Sequence, residues 1–128
     1  MIKKQLSVFV ENRQGRLGKI LNVLQENDIN IMSMSLADTT EYGLFRLIVD
    51  KPELGESKLT ENGFSCIVSE VLVINLPHEP GSLQRILQKI ADSEIDVEYL
   101  YGLDTEEKTA SVVVKTSNAK KAAEILSK

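Results

Sequence analysis

Leu6, Val8 and Val10 alternate with Ser7, Phe9 and Glu11, the two-residue period of a strand with one buried face. The period then changes. Leu17, Ile20, Leu21 and Leu24 fall at i, i+3, i+4 and i+7, the apolar stripe of an amphipathic helix. The polar run "ENDIN" stops that helix, Ile31 to Ala37 predicts a second strand, "DTTEY" a hairpin turn and Leu44 to Val49 a third strand. Pro52 opens a helix that runs to Asn62, weakened by Gly55 and stopped by Gly63, and "FSCIV" makes a fourth strand. The succession then starts again with "VLVINLP" from Val71. It continues with a helix over Ser82–Asp92, a strand over Val97–Tyr101, a turn at "LDTEEK", a strand over Ala110–Lys115 and a helix over Asn118–Leu126.

The two halves share more than their order. "VENRQGRLGKIL" (Val10 to Leu21) and "LPHEPGSLQRIL" (Leu76 to Leu87) align at an offset of 66 residues. At that offset Gly15 meets Gly81, Leu17 meets Leu83, Ile20 meets Ile86, Leu21 meets Leu87 and Leu24 meets Ile90. Further on, Ile29 meets Ile95, Asn30 meets Asp96 and Ile31 meets Val97, and Leu47-Ile48-Val49 falls on Val113-Val114-Lys115 with no gap between Gly15 and Asp50. Such self-similarity predicts a duplicated unit, residues 1–70 and 71–128. The expected fold is α+β: two tandem ferredoxin-like β-α-β-β-α-β units, each an antiparallel sheet with helices on one face. The fourth strand of the second unit would begin just past Lys128, so this unit lacks its last strand. The strand at Val71–Leu76 is then left with an open edge, which the other repeat or a second subunit is expected to close.

Composition narrows the function classes. With 42% hydrophobic and 27% charged residues the chain can build a core, and a net charge of −4 with scattered Lys and Arg argues against a nucleic-acid partner. One cysteine, Cys66, and one histidine, His78, leave no disulfide and no zinc constellation. The alternating N-terminus is not a signal peptide, and no apolar run approaches the ~20 residues that span a bilayer. The simplest reading is a soluble cytoplasmic protein without cofactor or metal. No Ser-His-Asp arrangement, GxxxxGK[ST] or GxGxxG is present, so the chain is read as non-catalytic.

A β-α-β-β-α-β unit with Gly-x-Leu after its first strand resembles the ACT domain, a ferredoxin-like module that binds amino acids. "ENRQG" with the later "NDINI" is similar to the regulatory domain of bacterial phosphoglycerate dehydrogenase, where a His-Glu-Asn-Arg-Pro-Gly loop and a later Asn-Ile hold serine. Glu11, Asn12, Arg13 and Gly15 match that loop, and Asn30-Ile31 matches the later pair. Val10 and Gln14 stand in place of its histidine and proline. The second copy has His78, Glu79, Pro80 and Gly81 in its loop, with Asp96-Val97 as the later pair. The resemblance implies ligand contacts from these residues, with Leu17 and Leu83 at the helix starts. It implies two non-equivalent sites: Asn12 and its loop facing Asp96, and His78 and its loop facing Asn30. It further implies an amino-acid ligand, a homo-oligomer such as a dimer, and an enzyme partner under its control.

The residue types suit that task. A zwitterion needs donors for its carboxylate and acceptors for its ammonium. Helix N-termini supply the former, and Asn and Asp side chains the latter. Plainer readings stand beside this one. Gly15 and Gly81 serve as turn glycines, Asn12 and Asn30 as turn or capping residues, and His78 as an exposed loop residue. Cys66 reads as a small buried hydrophobe, Met32 and Met34 as a strand face, Arg46 as a solvated outer-face residue and "DTEEK" as a solvated hairpin. Two alternative functions remain open: an interaction module that uses the edge at Val71–Leu76 for strand addition, and an acylphosphatase-like phosphohydrolase using Arg13 and Asn12.

Overall fold

A computed structural model describes residues 1–11, 15–38, 42–105 and 109–127. The elements follow in the order β1 (Ile2–Glu11), α1 (Arg16–Glu26), β2 (Ile31–Asp38), β3 (Tyr42–Val49), α2 (Pro52–Glu61), β4 (Cys66–Pro77), α3 (Ser82–Asp92), β5 (Val97–Thr105), β6 (Thr109–Thr116) and α4 (Ala119–Leu126). The chain divides into two compact units. One is Lys4–Ser69; the other joins Met1–Lys3 to Glu70–Lys128.

In the N-terminal unit the strand order is β2-β3-β1-β4, the ferredoxin-like order in which the first strand lies inside and the last at an edge. β1 and β3 are antiparallel with Leu6 opposite Leu47 and Val8 opposite Phe45. The inward set of these strands, Leu6, Val8, Val10, Phe45, Leu47 and Val49, packs with Ile20, Val23 and Leu24 of α1 and Leu59 of α2. Of the expected α1 stripe, Leu17, Ile20 and Leu24 face the core, while Leu21 is exposed and Val23 is buried instead. The strand reading needs one change: Gln5 and Ser7 are buried too, with Gln5 Nε2 donating to Ser7 Oγ at 3.2 Å, so the start of β1 is covered on both faces. Arg46 is half-buried rather than solvated, and Met32 and Met34 are exposed. Half-buried Cys66 packs against this core, and its thiol is pushed up to about 11, by burial first and by Glu56 second.

The C-terminal unit builds its core from Leu72, Ile74 and Leu76 of β4, Val114 of β6, Ile90 of α3, Ile95 and Ala122 of α4. Three expectations change here. "FSCIV" and "VLVINLP" are one unbroken strand, β4, whose Cys66, Val68, Leu72, Ile74 and Leu76 hold a single parity. The edge expected to lie open at Val71–Leu76 is met at Val73, whose N donates to Met1 O at 2.7 Å. The start of the first repeat thus reaches this edge, one of the two ways anticipated. The third change is the offset. Val97 pairs with Thr116 as Ile31 pairs with Val49, and Leu72 with Val114 as Leu6 with Leu47, so β6 follows β3 at 67 residues rather than 66. A register shift between Gly102 and Thr105 takes up the extra residue. A one-residue slip turns every side chain to the other face of a strand, which is why Val114, not Val113, stands in the second core. β5 also runs through Thr105, into the segment expected to turn, while residues 39–41 and 106–108 of the two expected hairpin turns lie outside the described residues.

Both repeat helices stop in the same way. Asp28 (φ 56°) and Glu94 (φ 59°) turn left-handed just past the helix cap. Ile29 N bonds Leu24 O at 2.9 Å and Ile95 N bonds Ile90 O at 3.3 Å, while Asp28 N and Glu94 N bond Gln25 O and Ala91 O. These are Schellman stops, in which glycine normally holds the left-handed position. Replacing the exposed Glu94 by glycine is therefore expected to raise stability by about 1 kcal/mol, read by thermal melting. A lowered melting point would show that the glutamate side chain holds the turn.

Candidate functional site

Each loop that follows a first strand ends in the same backbone turn. Gly15 (φ 84°, ψ −7°) and Gly81 (φ 86°, ψ −8°) are left-handed N-caps of α1 and α3. That conformation costs an L side chain ~1–2 kcal/mol and glycine nothing of the kind. Their carbonyls accept from Lys19 N and Arg85 N, each at 3.0 Å. A glycine has no side chain to cap with, and neither helix has an acidic residue in its first turn. The other two helices differ: Glu53 lies in the first turn of α2, and Asn118 Oδ1 accepts from Lys121 N at 3.1 Å at the start of α4. Gly15 and Gly81 are exposed, so the two repeat helices turn their positive ends toward solvent, a setting that favours an anion such as a carboxylate.

The surroundings of the two turns are not alike. Arg16, next to Gly15, lays its guanidinium over the Phe64 ring at 4.4 Å from the centroid. Its buried Nε finds no hydrogen-bond partner among the described residues. In the second copy Ser82 takes this place and is buried. The cation there is Arg85, whose Nη2 donates to Glu79 Oε1 at 3.2 Å and to Ser82 Oγ at 3.4 Å. Glu79 is thus engaged within its own loop, where its N–H also bonds Pro77 O at 2.9 Å. His78, Glu79 and Pro80 are exposed. In the first copy Glu11 is exposed at the end of β1, and Asn12, Arg13 and Gln14 lie outside the described residues. Arg16 was not among the residues singled out from the sequence. Its signal is there, a cation directly after the turn glycine.

Asn30 and Asp96 open the second strand of each unit and are locked by reciprocal bonds to the end of the third. Asn30 N donates to Asp50 Oδ1 at 2.9 Å and Asp50 N to Asn30 O at 3.1 Å. Asp96 N donates to Ser117 Oγ at 3.1 Å and Ser117 N to Asp96 O at 2.9 Å. Both side chains are exposed; Leu17, Ile31 and Leu83 are half-buried, and Val97 is exposed. Within the first unit Gly15 and Asn30 lie beyond opposite ends of α1, whose 11 residues span about 16 Å. α3, also of 11 residues, separates Gly81 from Asp96 in the same way. One small ligand cannot touch both ends of such a helix, so loop and strand start of one unit do not form a joint site by themselves.

Among the described residues no group of three or more His, Cys, Asp or Glu side chains is placed to hold a metal ion, and no helix is long and apolar enough to cross a membrane. A family model of the ACT domain pair matches residues 1–128. The chain belongs to the ACT domain pair family. This ACT pair is similar to the protein BT0572 from Bacteroides thetaiotaomicron, at 33% identity and a TM-score of 0.93, over 99% of this chain and 88% of that one. It shares its fold with the regulatory subunit of aspartate kinase from Thermus thermophilus in its ligand-free form, at 15% identity and a TM-score of 0.70, over 98% and 95% of the two chains. The regulatory subunit of aspartate kinase from Thermus flavus is a further fold match, at 15% identity and a TM-score of 0.65, over 98% and 90%. Among curated proteins none matches the sequence.

Proposed function

We propose that this ACT pair is a non-catalytic regulatory protein that binds an amino acid, with the ligand carboxylate at the glycine turn of one unit. The ligand's ammonium would lie at the second-strand start of a neighbouring unit, in the same chain or a second copy. The observation that carries the reading is the twin left-handed turn, Gly15 and Gly81, exposed at the starts of α1 and α3, where the N-cap residue offers no side-chain cap. The separation of turn and strand start by a whole helix supports a site shared between units. A homodimer and a separate enzyme partner follow from the same reading, since a ligand held between units can favour one assembly over another. The repeat differences, Arg16 against Ser82 and Asn30 against Asp96, support two sites of unequal affinity.

Isothermal titration against the twenty amino acids, with solution mass measured alongside, tests this. One of them is expected to bind. Gly15→Ala puts a Cβ where nothing lies within 4 Å, so the fold should persist at a cost of about 1 kcal/mol while binding weakens about tenfold or more. A folded protein that gives no heat with any amino acid would refute the reading.

A further inference from the structure

The two glycine turns differ in what lies over them. A Cβ on Gly81 would stand 3.1 Å from Arg85 Nη1, so the guanidinium lies across the second turn. Beyond its chain neighbours, no described residue comes within 4 Å of the Cβ position of Gly15. Arg85 lies one helical turn into α3, and its Nη2 donates to Glu79 Oε1 at 3.2 Å and to Ser82 Oγ at 3.4 Å. The backbone holds the acid in place: Glu79 N donates to Pro77 O at 2.9 Å, and Glu79 O accepts from Ser82 N at 3.3 Å. Glu79 and Arg85 thus flank Gly81 in the chain and are joined across it by one ion pair.

The charges of the two loops are not equivalent either. At the repeat offset Glu79 meets Arg13, Ser82 meets Arg16 and Arg85 meets Lys19. Positions 11 to 19 of the first copy carry one acid and three cations. Positions 77 to 85 of the second carry one acid and one cation, and these two are partners. The first loop therefore has a cation where the second has its acid. Both partners of the pair are 58% exposed, so solvent screens it and a competing carboxylate can displace it.

We propose that Glu79 is a built-in competitor for the ligand carboxylate at the second turn. Held on Arg85 across Gly81, its own carboxylate takes the cation that an incoming carboxylate would use. Opening the pair turns Arg85 from a cover into a contact. The two turns then fill in order, Gly15 at lower ligand concentration and Gly81 at higher. The proposal rests on the reading that ligand carboxylates lie at the glycine turns, and it adds what regulates the second of them.

Amide NMR of the isotope-labelled full chain, titrated with each of the twenty amino acids, reads the turns separately. Arg16 and Leu17 report on the first, Ser82 and Leu83 on the second. For the amino acid that binds, the first pair of amides is expected to shift at the lower concentration. Glu79→Gln removes the competitor from an exposed loop and should lower the midpoint at Ser82 and Leu83 about two- to fivefold, the worth of an exposed ion pair, with the first midpoint unchanged. Glu79→Arg, which copies the charge of the first loop, should lower it about tenfold. A second turn that fills with or before the first, or a second midpoint that neither substitution moves, would overturn the proposal while the ligand-binding reading stands. Movement of both midpoints by the same factor would also overturn it, because that is an effect of net charge alone. No response of either turn to any amino acid, in the natural sequence and in Glu79→Arg, would overturn both.

Discussion

Phe45→Ala is expected to cost about 3–5 kcal/mol, most of the stability of a unit this size. Phe45 is among the largest fully buried side chains, at 2% exposure. It stands opposite Val8 on one side and Leu36 on the other, and packs in the same cluster as Leu6, Ile20 and Leu24. Truncation removes the ring's transfer free energy and leaves a void that strands pinned on both edges cannot close. The counterpart in the second unit is Val112, which faces Ile74 as Phe45 faces Val8. Val112 is half-buried, so Val112→Ala should cost only about 1 kcal/mol. Urea unfolding of both variants measures the contrast. Equal small losses would mean that the first core does not centre on Phe45.

The second large effect comes from a glycine. A Cβ on Gly55 would lie 3.0 Å from Leu6 Cδ1, 3.7 Å from Val49 Cγ2 and 3.9 Å from Ile29 Cδ1, all on core residues. α2 sits down on the sheet at this point because position 55 has no side chain. Gly55→Leu is expected to destabilise by about 2 kcal/mol, since overpacking outweighs a helix-propensity gain of about 1 kcal/mol. Gly18, exposed in α1, has nothing within 4 Å of its Cβ position, so Gly18→Ala should stabilise by up to about 1 kcal/mol. Opposite signs in the melting temperatures of these two variants are the expected result. A stabilised Gly55→Leu would mean that α2 is free to move away from Leu6.

Gly55 shows where reading the sequence reached its limit. A glycine inside a helical pattern lowers helix propensity wherever it occurs, and the sequence does not say which glycine faces a neighbour at contact distance. Helices were legible because apolar positions at helical spacing define a face: the limits of α3 coincide with those expected, and α1 carries Leu17, Ile20 and Leu24 of its stripe inward while Leu21 stays exposed. Strands were less so. "SVVVK" in β6 has no alternation, so nothing in it separates an offset of 66 from one of 67; only pairing across the sheet does. β4 looked interrupted at "SEV", yet the parity from Cys66 to Leu76 was present in the sequence and marks one strand.

For the site, the glycine turns were legible because only a turn with a positive φ requires glycine at both repeat positions. The lock at the end of α1 was not. It depends on a left-handed aspartate and on Lys51, 23 positions away, whose Nζ donates to the Asp28 carbonyl where the helix stops. The role of Arg16 is not legible either, because a single arginine in a helix start has many ordinary uses, and its stacking on Phe64 bridges two distant stretches of chain.

The C-terminal unit is discontinuous, and this bears on the order of assembly. Everything in Lys4–Ser69 is available once that stretch has left the ribosome, so the first unit can close while the rest is still being made. Met1–Lys3 must wait for a partner about seventy residues downstream. The first unit has by then set β1 beside β4, with Phe9 N bonded to Ser65 O, so most of the loop-closure entropy is already spent and only the last residues of the two strands remain to pair. Until they do, the newly made β4 edge can take a wrong strand, its own or that of a neighbouring chain.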